Sequence, residues 1–176
     1  MKKVLMALAL TAMIAFPASA VEIDGAYVTI DPASADVGTA ELCFFVQNDS
    51  SDAEWIGYFN FVLPDCMTIL QDPPAWYNDP DGSFYEVPIF SGYGTNSGTW
   101  EAWTASNYGF MGSTDNGYFY CTVQIDCACM MYTIGWTLTG DDWGDPPHTV
   151  TGNLDFEVTC TTPSEDATLS GIKALY

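Results

Sequence analysis

Side-chain character alternates with a period of two along much of this chain, and that alternation restricts the fold more than any other feature. From Tyr118 to Cys127, the residues Phe119, Cys121, Val123, Ile125 and Cys127 share one face, and Tyr118, Tyr120, Thr122, Gln124 and Asp126 share the other. Met130, Tyr132, Ile134, Trp136 and Leu138 oppose Met131, Thr133, Gly135 and Thr137. Leu154, Phe156, Val158 and Cys160 alternate with Asp155, Glu157 and Thr159, and Ala40, Leu42, Phe44 and Val46 with Glu41, Cys43, Phe45 and Gln47. Trp55 to Leu63 is a further apolar run rich in aromatics. Successive side chains of a strand point to opposite faces, so this pattern predicts half-buried antiparallel strands. Turn formers separate the runs, among them Asn48-Asp49-Ser50-Ser51, Asp81-Gly82, Asn116-Gly117 and Gly140-Asp141-Asp142. Beyond the leader, no stretch carries a helical period of 3.6. The expectation is an all-β chain, an antiparallel β-sandwich of about eight strands.

The first twenty residues stand apart. Met1-Lys2-Lys3 is a short basic start, Val4 to Phe16 is apolar except for Thr11, and Pro17-Ala18-Ser19-Ala20 offers a small-x-small cleavage site. Residues 1–20 therefore read as a signal peptide of bacterial form. Residues 21–160 read as the sandwich, and 161–176 as a polar linker with a short C-terminal tail. No later apolar run approaches the ~18 residues of a membrane span, so no membrane insertion is expected. The expected location is outside the cytoplasm: extracellular, cell surface or periplasm.

Export sets the reading of the six cysteines, Cys43, Cys66, Cys121, Cys127, Cys129 and Cys160. In an oxidising compartment an even count predicts disulfides, and sequence leaves the pairing open. Zinc fits less well, because Cys127-Ala128-Cys129 lacks the usual two-residue spacer and His148 is the sole imidazole. The apolar face switches between Cys127 and Cys129. A hairpin turn around Asp126 to Cys129 would account for this, with Cys127 inward, Cys129 outward and different partners for each.

Charge excludes several functions. The chain holds 23 Asp and Glu against 3 Lys and no Arg, for a formal net charge of −20. Nucleic acid is excluded as a partner because phosphate binding needs cationic side chains. Anionic lipid is excluded for the same reason, and phosphate handling lacks an Arg fork. A Ser-His-Asp or Cys-His catalytic arrangement would have to use His148. Glu41, Glu54, Glu86, Glu101 and Glu157 are carboxylates of the type a small β-sandwich glycosidase uses, but nothing in the sequence pairs them.

Two acidic loops would suit calcium, a cation that takes several oxygen ligands: Asp79, Asp81 and Glu86 on one, Asp141, Asp142 and Asp145 on the other. The same residues are ordinary turn formers. No other cofactor is expected. Exposed rings would suit a glycan, and the candidates are Trp76, Tyr77, Trp100, Trp103, Tyr118 and Tyr120. Trp100 and Trp103 lie three apart, so on a straight strand at most one faces out. The competing use of such rings is the core.

The Cys-containing strand Leu42-Cys43-Phe44-Phe45-Val46, the Asn48-Asp49-Ser50 turn and the run Trp136 to Asp141 ahead of Pro146-Pro147-His148 resemble immunoglobulin-like β-sandwich modules of bacterial secreted and surface proteins. The resemblance covers most of residues 21–160. It is architectural and transfers no active site. Thr168 to Tyr176 is similar to a short sorting or docking tail of exported bacterial proteins, with Leu169 where those tails often carry Trp. The resulting expectation is a non-enzymatic structural or adhesive module at the cell surface or in an extracellular assembly. Its partner would be an extracellular protein or a glycan. Self-assembly could use residues 21–30 as an added strand. The rival expectation is a carbohydrate-binding module.

Overall fold

The computed structural model describes residues 23–50, 53–102, 109–141 and 148–160. The leader and the C-terminal tail assigned from sequence lie outside them. Among the described residues, eleven strands follow a 3-10 turn at Ile23–Gly25. They are β1 (Tyr27–Asp31), β2 (Ser34–Asp36), β3 (Gly38–Gln47), β4 (Ile56–Val62), β5 (Met67–Ile69) and β6 (Trp76–Asn78). The rest are β7 (Pro88–Ser91), β8 (Ser97–Ala102), β9 (Asn116–Ile125), β10 (Met131–Gly140) and β11 (Thr149–Thr159).

They form two layers. One sheet runs β1-β3-β9-β5, with β6 also paired to β9; the other runs β2-β11-β10-β4-β8-β7. Every pairing is antiparallel except β2 with β11. The all-β sandwich stands, but with eleven strands rather than about eight. The additional ones are mostly three or four residues long. Within the 21–30 segment considered for strand addition, β1 pairs with Cys43–Gln47 of β3 and stands at the edge of its sheet.

The inward sets read from the sequence form the core. Leu42, Phe44 and Val46 of β3 are buried, as are Phe119, Cys121, Val123 and Ile125 of β9. From the other layer, β4 and β8 contribute Phe59, Phe61 and Trp100. Aromatic contacts bridge the layers: Phe44 to Phe61 at 4.6 Å between ring centroids, Trp100 to Phe119 at 5.2 Å and Phe59 to Phe119 at 5.4 Å. The edge-to-face geometry of the last two suits the quadrupoles of the rings. Backbone approaches this cluster where a side chain cannot. A Cβ at position 98 would overlap the Phe61 ring, which fixes Gly98 on β8.

The segment between β9 and β10 is not a hairpin. β9 belongs to the five-stranded sheet and β10 to the six-stranded one, so Asp126 to Met130 arches from one layer to the other. This explains the face switch differently, since the inward side reverses whenever a chain changes layers. Cys127 is buried and bonds Cys66; Cys129 is exposed and bonds Cys160. The Cα–Cα distances are 5.0 Å and 5.7 Å, within the ordinary range. With 61 and 31 residues between partners, each closure restricts the unfolded chain by about 4 kcal/mol on the loop-entropy account.

Cys43 and Cys121, expected in disulfides, carry free thiols. They sit on neighbouring strands one register step apart, since Leu42 faces Cys121 and Cys43 faces Tyr120. The pleat therefore sends them to opposite sides of the sheet, where their sulfurs cannot meet.

The unfolded, unreduced protein is expected to titrate two thiols with a chromogenic reagent, and six after reduction. In the native state Cys43 should react slowly and Cys121 only on unfolding. A count of zero without reductant would contradict the pairing.

Candidate binding face of the five-stranded sheet

The sheet's outer side carries the remaining half of the period-two pattern. In the β1, β3, β9 and β6 registers, Asp31 faces Cys43, Cys43 faces Tyr120, and Tyr120 faces Trp76. These four residues form one row across four strands, or three spacings of about 4.8 Å. Thr29, Phe45, Tyr118 and Asn78 form the next row. Tyr27 adds a ring 6.2 Å from Phe45, and Phe45 lies 5.1 Å from Tyr118. Trp76 and Tyr120 stack nearly parallel, 3.7 Å apart and 2° between planes. The Trp76 indole N–H donates to Glu41 Oε2 at 3.4 Å. Trp76 is 46% exposed and Tyr27 44%.

Local structure holds the short β6 in place. Ala75 N–H donates to the Tyr93 hydroxyl at 2.9 Å just before the strand. Just after it, the Asp79 carboxylate accepts the backbone N–H groups of Gly82, Ser83 and Phe84 at 3.0, 3.1 and 2.9 Å. Between these anchors Tyr77 turns inward and stacks on Phe84 at 5.6 Å. Its neighbours Trp76 and Asn78 are thereby placed on the outer face.

Carboxylates border the rings. Burial pushes the Cys43 thiol above its ordinary value, a hydrogen bond from Tyr120 opposes this, and the charges of Asp31 and Glu41 add to the rise. Tyr120 is pushed up to about 12, first by burial and then by its bond with Cys43 and by nearby negative charge. Both groups are neutral at pH 7, so Asp31 and Glu41 supply the charge of this face.

Of the six aromatic candidates from sequence, three converge here: Trp76, Tyr118 and Tyr120. Tyr77 packs inward, and Trp100 is buried, stacked on Phe59 at 5.7 Å. Trp103 lies outside the described residues. Tyr27, Asp31, Glu41, Cys43 and Phe45 complete the face and were not singled out as ligand candidates. The outward parity of β3 carried the signal for three of them.

The acidic loops show turn chemistry. Asp79 caps three N–H groups as above, and Asp81 Oδ1 accepts the Ser83 N–H at 3.3 Å. Asp141 Oδ1 accepts the Trp55 N–H at 3.5 Å. Asp142 and Asp145 lie outside the described residues. Among those described, no three His, Cys, Asp or Glu side chains gather as a metal ion would require, Glu86 included.

The sole imidazole lies elsewhere. His148 Nδ1 is 2.9 Å from Oε1 of Glu54, whose side chain is fully buried. Asn48, also fully buried, donates to the carbonyls of Glu54, Met111 and Gly112. Gly140 leaves the space: a Cβ there would overlap Glu54 Oε1. Of the five glutamates considered for glycoside chemistry, Glu54 is thus a structural partner of His148, while Glu41 and Glu157 sit exposed on outward faces.

No family model matches the chain, and no curated protein sequence matches it. Solved structures do. The major pilin subunit of Bacillus cereus aligns with a TM-score of 0.50 at 9% identity; the match covers 76% of this chain, which spans 40% of the pilin's length. A Nocardia farcinica protein with an immunoglobulin-like fold aligns at 0.46, with 18% identity over 74% of this chain and 98% of that one. The collagen-binding domain of a Staphylococcus aureus adhesin aligns at 0.48, with 9% identity over 75% and 96%. The fold is a two-layer β-sandwich similar to these structures, in keeping with the resemblance seen in the sequence.

Two measurements check this geometry. Gly140→Ala is expected to destabilise by about 1–3 kcal/mol through overpacking. Gly135→Ala on the same strand, where the nearest atom to the new Cβ is 3.9 Å away, should stay within about 0.5 kcal/mol; urea unfolding reads both. Tyr120 should ionise well above the ordinary tyrosine value, near pH 12, in an alkaline absorbance titration. Its raised folded value makes its contribution to stability complete below pH ~10 and lost as pH rises toward 12. Tyr120→Phe should remove that component.

Proposed function

We propose that this chain is an exported, non-enzymatic structural or adhesive module that docks its partner on the outer face of the five-stranded sheet. The carrying observation is the ring row: Trp76 stacked on Tyr120, with Tyr118, Phe45 and Tyr27 alongside, two of these rings nearly half exposed. Contiguous exposed apolar surface of this kind marks interaction sites. Large rigid rings provide contact area with little entropy to lose. Two long-range disulfides suit a chain that works outside the cytoplasm. The fold is also similar to part of a pilin subunit, the major one of Bacillus cereus.

The test has two parts. In fractionated producing cells, the mature chain should be oxidised and open to added protease from outside. Beads coated with the purified protein should adhere to extracellular matrix or cell-wall preparations. Trp76→Ala with Tyr118→Ala should weaken that adhesion about tenfold, as loss of anchoring rings does. Cytoplasmic retention with six reduced thiols, or adhesion unchanged in the variant, would overturn the reading.

A further inference from the structure

We propose that the occupant of this face is a cationic polypeptide segment, bearing Arg or Lys, whose charged groups lie over the Trp76–Tyr120 pair between Glu41 and Asp31. The assignment deepens the docking reading above and rests on it.

Charge complementarity carries it. Trp76 holds Glu41 through its indole N–H, so a carboxylate stands at the edge of an exposed ring of this face. Asp31 stands at the other end of the same row, and both acids act electrostatically on Cys43 between them. The chain's only lysines are Lys2, Lys3 and Lys173, and it has no arginine. No lysine or arginine therefore falls within residues 23–160 to neutralise these two carboxylates. An external guanidinium or ammonium would find a ring face to lie on and a carboxylate beside it, the pairing that stabilises cations on aromatic surfaces. The ring geometry favours this occupant over a sugar. Trp76 and Tyr120 cover each other's inner faces at 3.7 Å, so they present edges and one open indole face rather than a flat row. A field of one sign also speeds encounter with a basic segment.

The experiment is calorimetric titration of the full mature chain, near 0.15 M salt, with a synthetic peptide of about eight residues, Gly and Arg alternating, whose extended length of ~26 Å exceeds the row. The matched control replaces each Arg with citrulline, which keeps the shape and removes the charge. Binding of the Arg peptide with no response to the citrulline peptide is expected. Trp76→Ala, and Asp31→Asn with Glu41→Gln, should each weaken it about tenfold. Asp155→Asn with Glu157→Gln on β11 removes the same charge from the other sheet and should change it less than about twofold.

Equal loss from both charge pairs would show diffuse attraction only and overturn the assignment, as would equal binding of the citrulline peptide. Binding of a neutral cell-wall oligosaccharide that depends on Trp76, with no response to the Arg peptide, would overturn the cationic assignment and leave the docking face standing. No effect of Trp76→Ala on peptide, oligosaccharide or bead adhesion would defeat both readings.

Discussion

The structure depends on the antiparallel pairing of β3 with β9. Ten residue pairs run without a break from Gly38 opposite Ile125 to Gln47 opposite Asn116. On the inner side, that ladder presents Leu42, Phe44, Val46, Phe119, Cys121 and Val123 to the aromatic cluster of β4 and β8. On the outer side, it presents Glu41, Cys43, Phe45, Tyr118 and Tyr120. Because side chains alternate strictly, core and candidate face come from the same residues read one step apart. A slip of one register step would exchange them, and the buried phenylalanines hold the register against it.

What could be read from the sequence follows from strand length. β3, β9, β10 and β11 are ten or eleven residues long and show several full periods, so both their existence and their inward faces were apparent, while β4 was legible only as an apolar run. β2, β5 and β6 have three residues each, which is too few for a period to show. Their positions come from tertiary partners: β6 from β9, Tyr93 and the Asp79 cap, and β2 from its parallel place beside β11. The crossing between layers at residues 126–130 was misread as a hairpin, because either arrangement reverses the apolar face. Pairing partners distinguish the two, and these are long-range information.

The candidate site was legible in part for the same reason. Tyr118 and Tyr120 lie on a long strand, and their outward parity was plain. Trp76 follows Pro73-Pro74, a loop signal, yet it forms the exposed end of the row because β6 docks beside β9. Trp100 went to the core, consistent with the expectation that at most one of Trp100 and Trp103 faces out. The cysteines teach a similar lesson. Parity already placed Cys43 with the outward set and Cys121 with the inward set. Even counting argued for three bonds, whereas facing argued against joining those two.

The two disulfides meet at the arch, one residue apart, and tie it to both layers: Cys127 to Cys66 ahead of β5, and Cys129 to Cys160 beyond β11. Pulling on the two ends of the sandwich therefore follows a covalent shortcut. Tension entering from the N-terminal side reaches Cys66, crosses to Cys127, passes Ala128 and Cys129, and leaves through Cys160. Residues 67–126 and 130–159 stand outside that covalent line, so the backbone of β5 to β11 is bypassed while β1, β3 and β4 lie on it.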